Sequence, residues 1–369
     1  MIRSTPIFIL RSLIVAVPVL TISLATAQAA AQITRYSGAC DGSAGVALDQ
    51  NFFAVADDDS NVLRVYRIGQ PDAVQELSLD AFLDAPKKED GGEDGKPAFE
   101  EADIEGAARI DDRIYWITSH GRSAKKGKEE PARARLFATR IAPHADSPRL
   151  EQIKGSVAYK NLREDMFKDP MLEKAKTSRE RRAAKISEVL ADAYEPGEKK
   201  GPRPESKHGF NIEGLAATPD GRLLIGLRNP RPGKKALVIP LRNPASVVND
   251  GNTAVFDEPW QLDKLGGRGI RSIEWINNTY VIVAGPHNDV EDSDIEPPFA
   301  LFTWSGKEGD DEPVNMKVKI PDDFRPEAVF ALPGSSSMML LSDDGTDECK
   351  DAKKSSQKSF RALTLPGPK

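Results

Sequence analysis

Five stretches of this chain arrange apolar and polar positions in the same order: an apolar run, a tight turn, a second apolar run ending in polar side chains, and a third run after a variable loop. They open at Ser43 (SAGVALDQNFFAVADDD), Glu105 (EGAARIDDRIYWITSH), Glu213 (EGLAATPDGRLLIGLRN), Arg271 (RSIEWINNTYVIVAGPHN) and Glu327 (EAVFALPGSSSMMLLSDD). Asp49-Gln50, Asp111-Asp112, Pro219-Asp220-Gly221, Asn277-Asn278 and Pro333-Gly334 join first runs to second runs as hairpin turns. The second runs FFAVA, IYWIT, LLIGL, YVIVA and MMLLS read as strands buried between neighbouring sheets. Third strands are expected at 62–68, 135–141, 236–241, 299–304 and 360–365, and less regular outer strands at 74–79, 149–157, 253–256 and 314–320. A unit of this kind repeated along one chain predicts an all-β fold, a single β-propeller with one blade per copy.

The interval from Glu105 to Glu213 is nearly twice the others, and its excess falls in residues 161–207. Within it, 178–194 (SRERRAAKISEVLADAY) is charged and helix-prone, with Ile186, Val189, Leu190 and Ala193 on one face. This segment reads as a helical insertion between blades two and three, so five blades are expected, with six as the alternative. Pro196, Pro202 and Pro204 among lysines suggest a solvated tether, and 86–96 a second polar loop. The last copy lacks a fourth strand; Ile33 to Tyr36 could supply it and close the ring. Antiparallel geometry puts Cys40 and Cys349 on one rim of adjacent blades, where a disulfide would clamp that closure.

Arg3 and Arg11 precede an apolar stretch at 13–24, and small residues at 27–31 follow it. Residues 1–31 are therefore expected to be a cleaved signal peptide, leaving a propeller at 32–369 in the periplasm or secreted medium. The stretch is short for a bilayer span, and a mean hydropathy of −0.45 argues against an integral membrane protein. A net charge of −6 with no basic stripe argues against a nucleic-acid partner.

First-strand openings and second-strand ends share one rim in an antiparallel blade. That rim is expected to collect Ser43, Glu105, Glu213, Arg271 and Glu327, together with Asp57, Asp58, Asp59, Ser119, His120, Arg228, Asn229, His287, Asn288, Asp343 and Asp344. His208 should approach it, and His144 should lie opposite. Three glutamates near one axis would repel one another, so either Arg271 or a divalent cation such as calcium must offset them. Glu105, Glu213 and Glu327 are the expected metal ligands, and Arg271, Asn229, Asp57 and Asp343 the expected substrate contacts. Basic loops at Arg122, Lys125, Lys126 and Lys128, and at Arg231, Lys234 and Lys235, suit a small anionic ligand. Ser119-His120 lacks the G-x-S-x-G turn of a serine hydrolase, and no P-loop, Rossmann fingerprint, C-x-x-C or H-E-x-x-H occurs.

The segments ADDDSNVLRVYR (56–67), DIEGAARIDDRIYWITSHGR (103–122), NIEGLAATPDGRLLIGLRNP (211–230) and LLSDDG (340–345) closely resemble a bacterial family known as domain of unknown function 3616. That resemblance implies the fold and carries no reaction. The tripeptide I-E-G at 104–106 and 212–214 is similar to openings in the esterase-like phytase domain and in calcium-dependent lactonase propellers, whose glutamate and asparagine side chains hold a catalytic metal. Arg271 departs from a simple acidic ring. Two functions are expected on these grounds. One is a divalent-metal-dependent hydrolase of phosphoesters, esters or lactones with His120 or His287 as general base. The other is a non-catalytic propeller that binds an envelope protein or polymer.

Overall fold

The computed structural model describes Met1 and residues 32–88, 98–173, 185–288, 294–345, 349 and 357–368. The chain divides into Met1–Ala30 and Ala31–Lys369. The expected signal peptide lies outside the described residues except for Met1, as does most of the 86–96 loop. Among the described residues no helix is long and apolar enough to cross a membrane.

Strand β1 (Gln32–Ser37) is followed by four sheets, each a simple antiparallel meander. Blade one contains β2 (Ala44–Ala47), β3 (Phe52–Ala56), β4 (Val62–Arg67) and β5 (Ala73–Ser78). Blade two contains β6 (Ile104–Ile110), β7 (Arg113–Thr118), β8 (Leu136–Ala142) and β9 (Arg149–Gln152). Blade three contains β10 (Asn211–Ala217), β11 (Leu223–Asn229), β12 (Ala236–Leu241) and β13 (Trp260–Leu262). Blade four contains β14 (Gly269–Ile276), β15 (Thr279–Gly285), β16 (Ala300–Trp304) and β17 (Val314–Asn315). Blade five takes β18 (Pro326–Ala331), β19 (Ser337–Ser342) and β20 (Ser359–Pro366) from the carboxyl end, and β1 pairs with β20 as its fourth strand. Each innermost strand packs against the next, and β18 packs back on β2, so the five sheets form a closed ring.

Five hydrophobic clusters fill the gaps between neighbouring blades. Between blades five and one, Tyr36, Phe53, Tyr66, Phe330 and Phe360 form an aromatic block with ring centroids 5.0–5.6 Å apart. A fully buried aromatic of this size stabilises the fold by roughly 2–3 kcal/mol. Cys40 and Cys349 are bonded, with Cα atoms 5.8 Å apart, and join the first blade to the loop of the last.

Two expectations change. The outer strand of blade three is Trp260–Leu262, not 253–256. Its residues 253–256 are held instead by Asn243, whose amide donates to the Thr253 carbonyl at 2.9 Å and accepts from Val255 N–H at 2.9 Å. Helix α3 (Pro244–Asp250) lies in the connection from β12 to β13, ahead of 253–256.

The helical part of the insertion packs its apolar face on the propeller, while the flanking tether is exposed at Pro196, half-buried at Pro202 and buried at Pro204. Helices α1 (Leu162–Lys168) and α2 (Ile186–Tyr194) bury Leu162, Met166, Ile186 and Leu190 in the cluster between blades two and three. The first part of the expected 178–194 helix lies outside the described residues. Arg122, expected to project from a basic loop, is 1% exposed and donates to the carbonyls of Tyr194, Gly127, Glu195 and Glu198 at 2.7–3.2 Å. The Tyr194 ring lies between Arg122 and Arg163, whose guanidinium carbons stand 4.4 and 3.7 Å from its centroid.

Candidate functional site

Four of the five blades open with the same irregularity. On β6 the register steps from Ile104 to Gly106, on β10 from Ile212 to Gly214, on β14 from Ile270 to Ser272, and on β18 from Pro326 to Ala328. The skipped residues are Glu105, Glu213, Arg271 and Glu327. A β-bulge leaves its extra residue outside the ladder and re-aims the side chain. Here the four side chains line one cavity of about 590 Å³. The glycine after each of the first two glutamates is needed for packing: a Cβ at Gly106 would come within 2.9 Å of Leu215 Cβ in the next blade.

Arg271 Nε stands 2.9 Å from Glu213 Oε2, and its Nη2 also pairs with Glu327 Oε1. Glu213 accepts from Asn211 Nδ2 at 2.7 Å and pairs with Arg228 Nη1 at 3.1 Å. Of the two candidates for offsetting these glutamates, the structure shows the arginine. All four ionic side chains are at most 8% exposed. Burial and the neighbouring Arg228 lower the Arg271 pKa below its usual value.

Glu105 has a different environment. Burial, then Asp103, Glu213 and Asp58, raise its carboxyl well above the usual range, against a smaller opposing effect of Arg271. Asp103 itself pairs with Arg133 at 2.7 Å, yet burial keeps its pKa raised. The cavity is thus lined by Asp58, Asp103, Glu105 and Asp343 as well as by Arg228, Arg271 and Arg325.

Oxygens of Asp41, Asp58 and Asp59 lie within 4.8 Å of one another, and Asp58 also lines the cavity. Among the described residues this is the carboxylate group drawn close enough to surround a metal, a different set from Glu105, Glu213 and Glu327. Asp41 accepts the N–H groups of Asp344 at 3.0 Å and Gly345 at 2.7 Å, so the loop tied down by Cys349 holds the residue next to Cys40. Burial, with Asp58 and Asp343 beside it, pushes the Asp41 carboxyl up to about 12. Asp58 is also raised well above its usual value by burial and by Asp59, Asp103 and Asp343, and its buried Oδ1 has no hydrogen-bond partner. Hard carboxylate oxygens at this density fit calcium or magnesium.

The other sequence-selected residues lie elsewhere. Asp57, just past the end of β3, pairs with Arg64 at 2.9 Å instead of lining the cavity. Asn229 is fully buried and donates to the carbonyls of Pro204 and His287 at 2.9 and 2.7 Å, so it positions loops instead of contacting the cavity. His120 is fully buried, with Nδ1 2.8 Å from the Thr118 carbonyl, and burial lowers its pKa to about 3. His287 lines an adjoining cavity with His208, and His144 lines one among the first-to-second strand turns, with Asp111 and Asp112. Sequence reasoning missed Asp41, Asp103, Asn211, Arg133 and Arg325. Asp103 and Asn211 occupy the equivalent place two residues before the bulged glutamates, a signal that was available.

The fold and cavity define a five-bladed propeller with a polar hub site. The chain belongs to the family described as "Protein of unknown function (DUF3616)", whose model matches residues 41–337. A search of curated proteins finds no match. Among solved structures, a putative oxidoreductase (glucose dehydrogenase) of Thermus thermophilus aligns at 13% identity over 91% of this chain and 100% of its own, with a TM-score of 0.41. A PQQ-bound aldose sugar dehydrogenase of Streptomyces coelicolor aligns at 12% over 90% and 98%, TM-score 0.37. A GH43 β-1,3-galactosidase aligns at 11% over 90% and 60%, TM-score 0.45. At these values nothing about activity passes from them to this chain.

Proposed function

We propose that this chain is a divalent-cation-dependent hydrolase of an anionic ester, phosphoester or lactone, acting in the hub cavity. The observation that carries this reading is the close approach of the Asp41, Asp58 and Asp59 carboxylates at a cavity that Arg228, Arg271 and Arg325 also line. Like charges so placed must either hold protons or share a cation. A bound calcium or magnesium would polarise the scissile group and lower the pKa of a coordinated water. Asp41, Asp58 and Asp59 would hold the ion, with Asp343 within reach of Asp41. Arg228, Arg271 and Arg325 would bind and orient the anionic part of the substrate. Glu105, whose carboxyl pKa is raised by burial and by Asp103, Glu213 and Asp58, would hold a proton for the leaving oxygen.

This places the acid at Glu105 and leaves His120 and His287 out of the chemistry. The Cys40–Cys349 bond fits an oxidising compartment, and with the apolar amino-terminal stretch it supports a periplasmic or secreted location. The test is elemental analysis of protein purified without chelator, together with turnover on phosphate mono- and diesters, carboxylic esters and lactones before and after chelation. Bound divalent metal with chelator-sensitive turnover that Glu105→Gln abolishes is expected. Absence of both metal and turnover would leave the binding-propeller reading in its place.

A further inference from the structure

A second cavity, of about 650 Å³, opens between blades three and four beside the insertion. Its charged lining comes from three separate segments: Arg231 and Lys234 after β11, His287 after β15, and Lys207 with His208 at the end of the insertion. Asp294 is the one carboxylate in the lining among the described residues. None of the five basic side chains has an ion-pair partner among the described residues. The Arg231 guanidinium is held only by the Gly267 carbonyl, and its Nε is buried without a partner. The Nδ1 of His287 is likewise buried and unpartnered. A partly buried guanidinium and an unsatisfied imidazole nitrogen facing one cavity are costly unless an acceptor reaches them.

We infer that this cavity is a second binding site, separate from the hub, for a small organic oxyanion: a phosphate or sulfate head on an apolar body. The head would lie against Arg231, His287 and Lys207, where charge-assisted bonds are strongest. The body would lie against Val189, Pro230 and Pro232, the first of which is supplied by α2. The cavity is larger than a bare anion needs and falls in the range of small-molecule sites. The electrostatic state agrees. Burial and the neighbouring cations Arg231, Arg228 and Lys207 hold the His287 imidazole down at about 4, and burial and Arg228 hold Arg231 at about 10. Burial is the larger cause in both, so His287 meets the head as a neutral ring while Arg231 and Lys207 bring the positive charge.

The site gives the insertion a role: it completes a pocket that blades three and four alone would leave open. The inference does not depend on metal or catalysis at the hub.

The test uses the intact protein labelled with carbon-13 in its four histidines, treated with chelator so that the hub cannot hydrolyse the probe, and titrated with phenyl phosphate and, separately, inorganic phosphate. The His287 and His208 ring resonances should shift and saturate, while His144, on the turns of the opposite rim, should not move. Phenyl phosphate should bind more tightly than phosphate. Arg231→Gln should weaken it by about 10-fold or more, consistent with loss of one charge-assisted contact. Lys207→Gln, a solvent-facing change that does not threaten folding, should weaken it measurably as a check on that variant. Asp58→Asn should leave it unchanged. No shift at tens of millimolar ligand, parental affinity in both basic variants, or a loss confined to Asp58→Asn would overturn the inference.

Discussion

Arg271 and Glu213 come from the same bulge position in consecutive blades and meet at 2.9 Å in the hub. The repeat turns a spacing along the chain into a contact across the axis. Glu327, one blade further on, uses the same arginine. Removing Arg271 would therefore leave two carboxylates buried together. Arg271→Met should destabilise the fold by about 3–5 kcal/mol in urea denaturation. Arg271→Met combined with Glu213→Gln and Glu327→Gln should recover much of that loss. A single variant as stable as the parent would show that the ion pairs do not set the hub.

Arg122 holds the insertion through the carbonyls of Tyr194, Glu195 and Glu198, with a further bond to Gly127 in its own loop, while its guanidinium lies over the Tyr194 ring. Arg122→Ala should cost about 3 kcal/mol, given the worth of hydrogen bonds from a charged donor. Arg122→Lys should not restore it, since an ammonium cannot span the same carbonyls. Limited proteolysis should cut the variant first within 161–207. Cleavage elsewhere at the same rate would contradict the role assigned to Arg122.

The disulfide is expected to do more than close the ring. Cys40→Ser with Cys349→Ser should lower stability by about 2–5 kcal/mol. Because Asp41 is bonded to the Asp344 and Gly345 amides of the same loop, divalent-cation affinity should fall as well. Calorimetry on the folded variant separates the two effects, and unchanged cation affinity would uncouple the bond from the cluster.

His120 gives a pH dependence whose sign is fixed. Its pKa in the fold is about 3, below its ordinary value of 6.5, so between these values the unfolded chain binds a proton that the folded chain does not. Stability from this group is complete above about pH 6.5 and falls as pH drops towards 3, by up to about 1.4 kcal/mol per pH unit. His120→Asn, which tolerates the left-handed backbone at φ 53°, should flatten that acid limb. An identical limb in the variant would assign the acid sensitivity to other groups.

Much of the ring was legible because each blade repeats its turn chemistry and its apolar periods. The closing strand β1, the disulfide and the common rim all followed from antiparallel geometry. At 253–256 the sequence looks like a strand, but the side chain of Asn243, ten residues earlier, captures that backbone first. The insertion's apolar face was legible at Ile186, Leu190 and Ala193, but not the inter-blade gap that receives it, nor buried Arg122, which satisfies its carbonyls from a segment far away in sequence.

At the site, the bulged glutamates could be found from repeat alignment alone. Asp57, expected at the site, pairs with Arg64 just past the end of β3, while its neighbour Asp58 lines the cavity. Asp41 carried no repeat signal, because its place depends on a loop more than three hundred residues away.

The central claim is that the carboxylates beside the hub share a divalent cation. Calorimetric titration of chelator-treated protein with calcium and with magnesium, in the parent and in Asp58→Asn, tests it directly. One ion per chain bound by the parent and lost or strongly weakened in Asp58→Asn is the expected result. No binding of either ion by the parent, or equal binding in the variant, would contradict it.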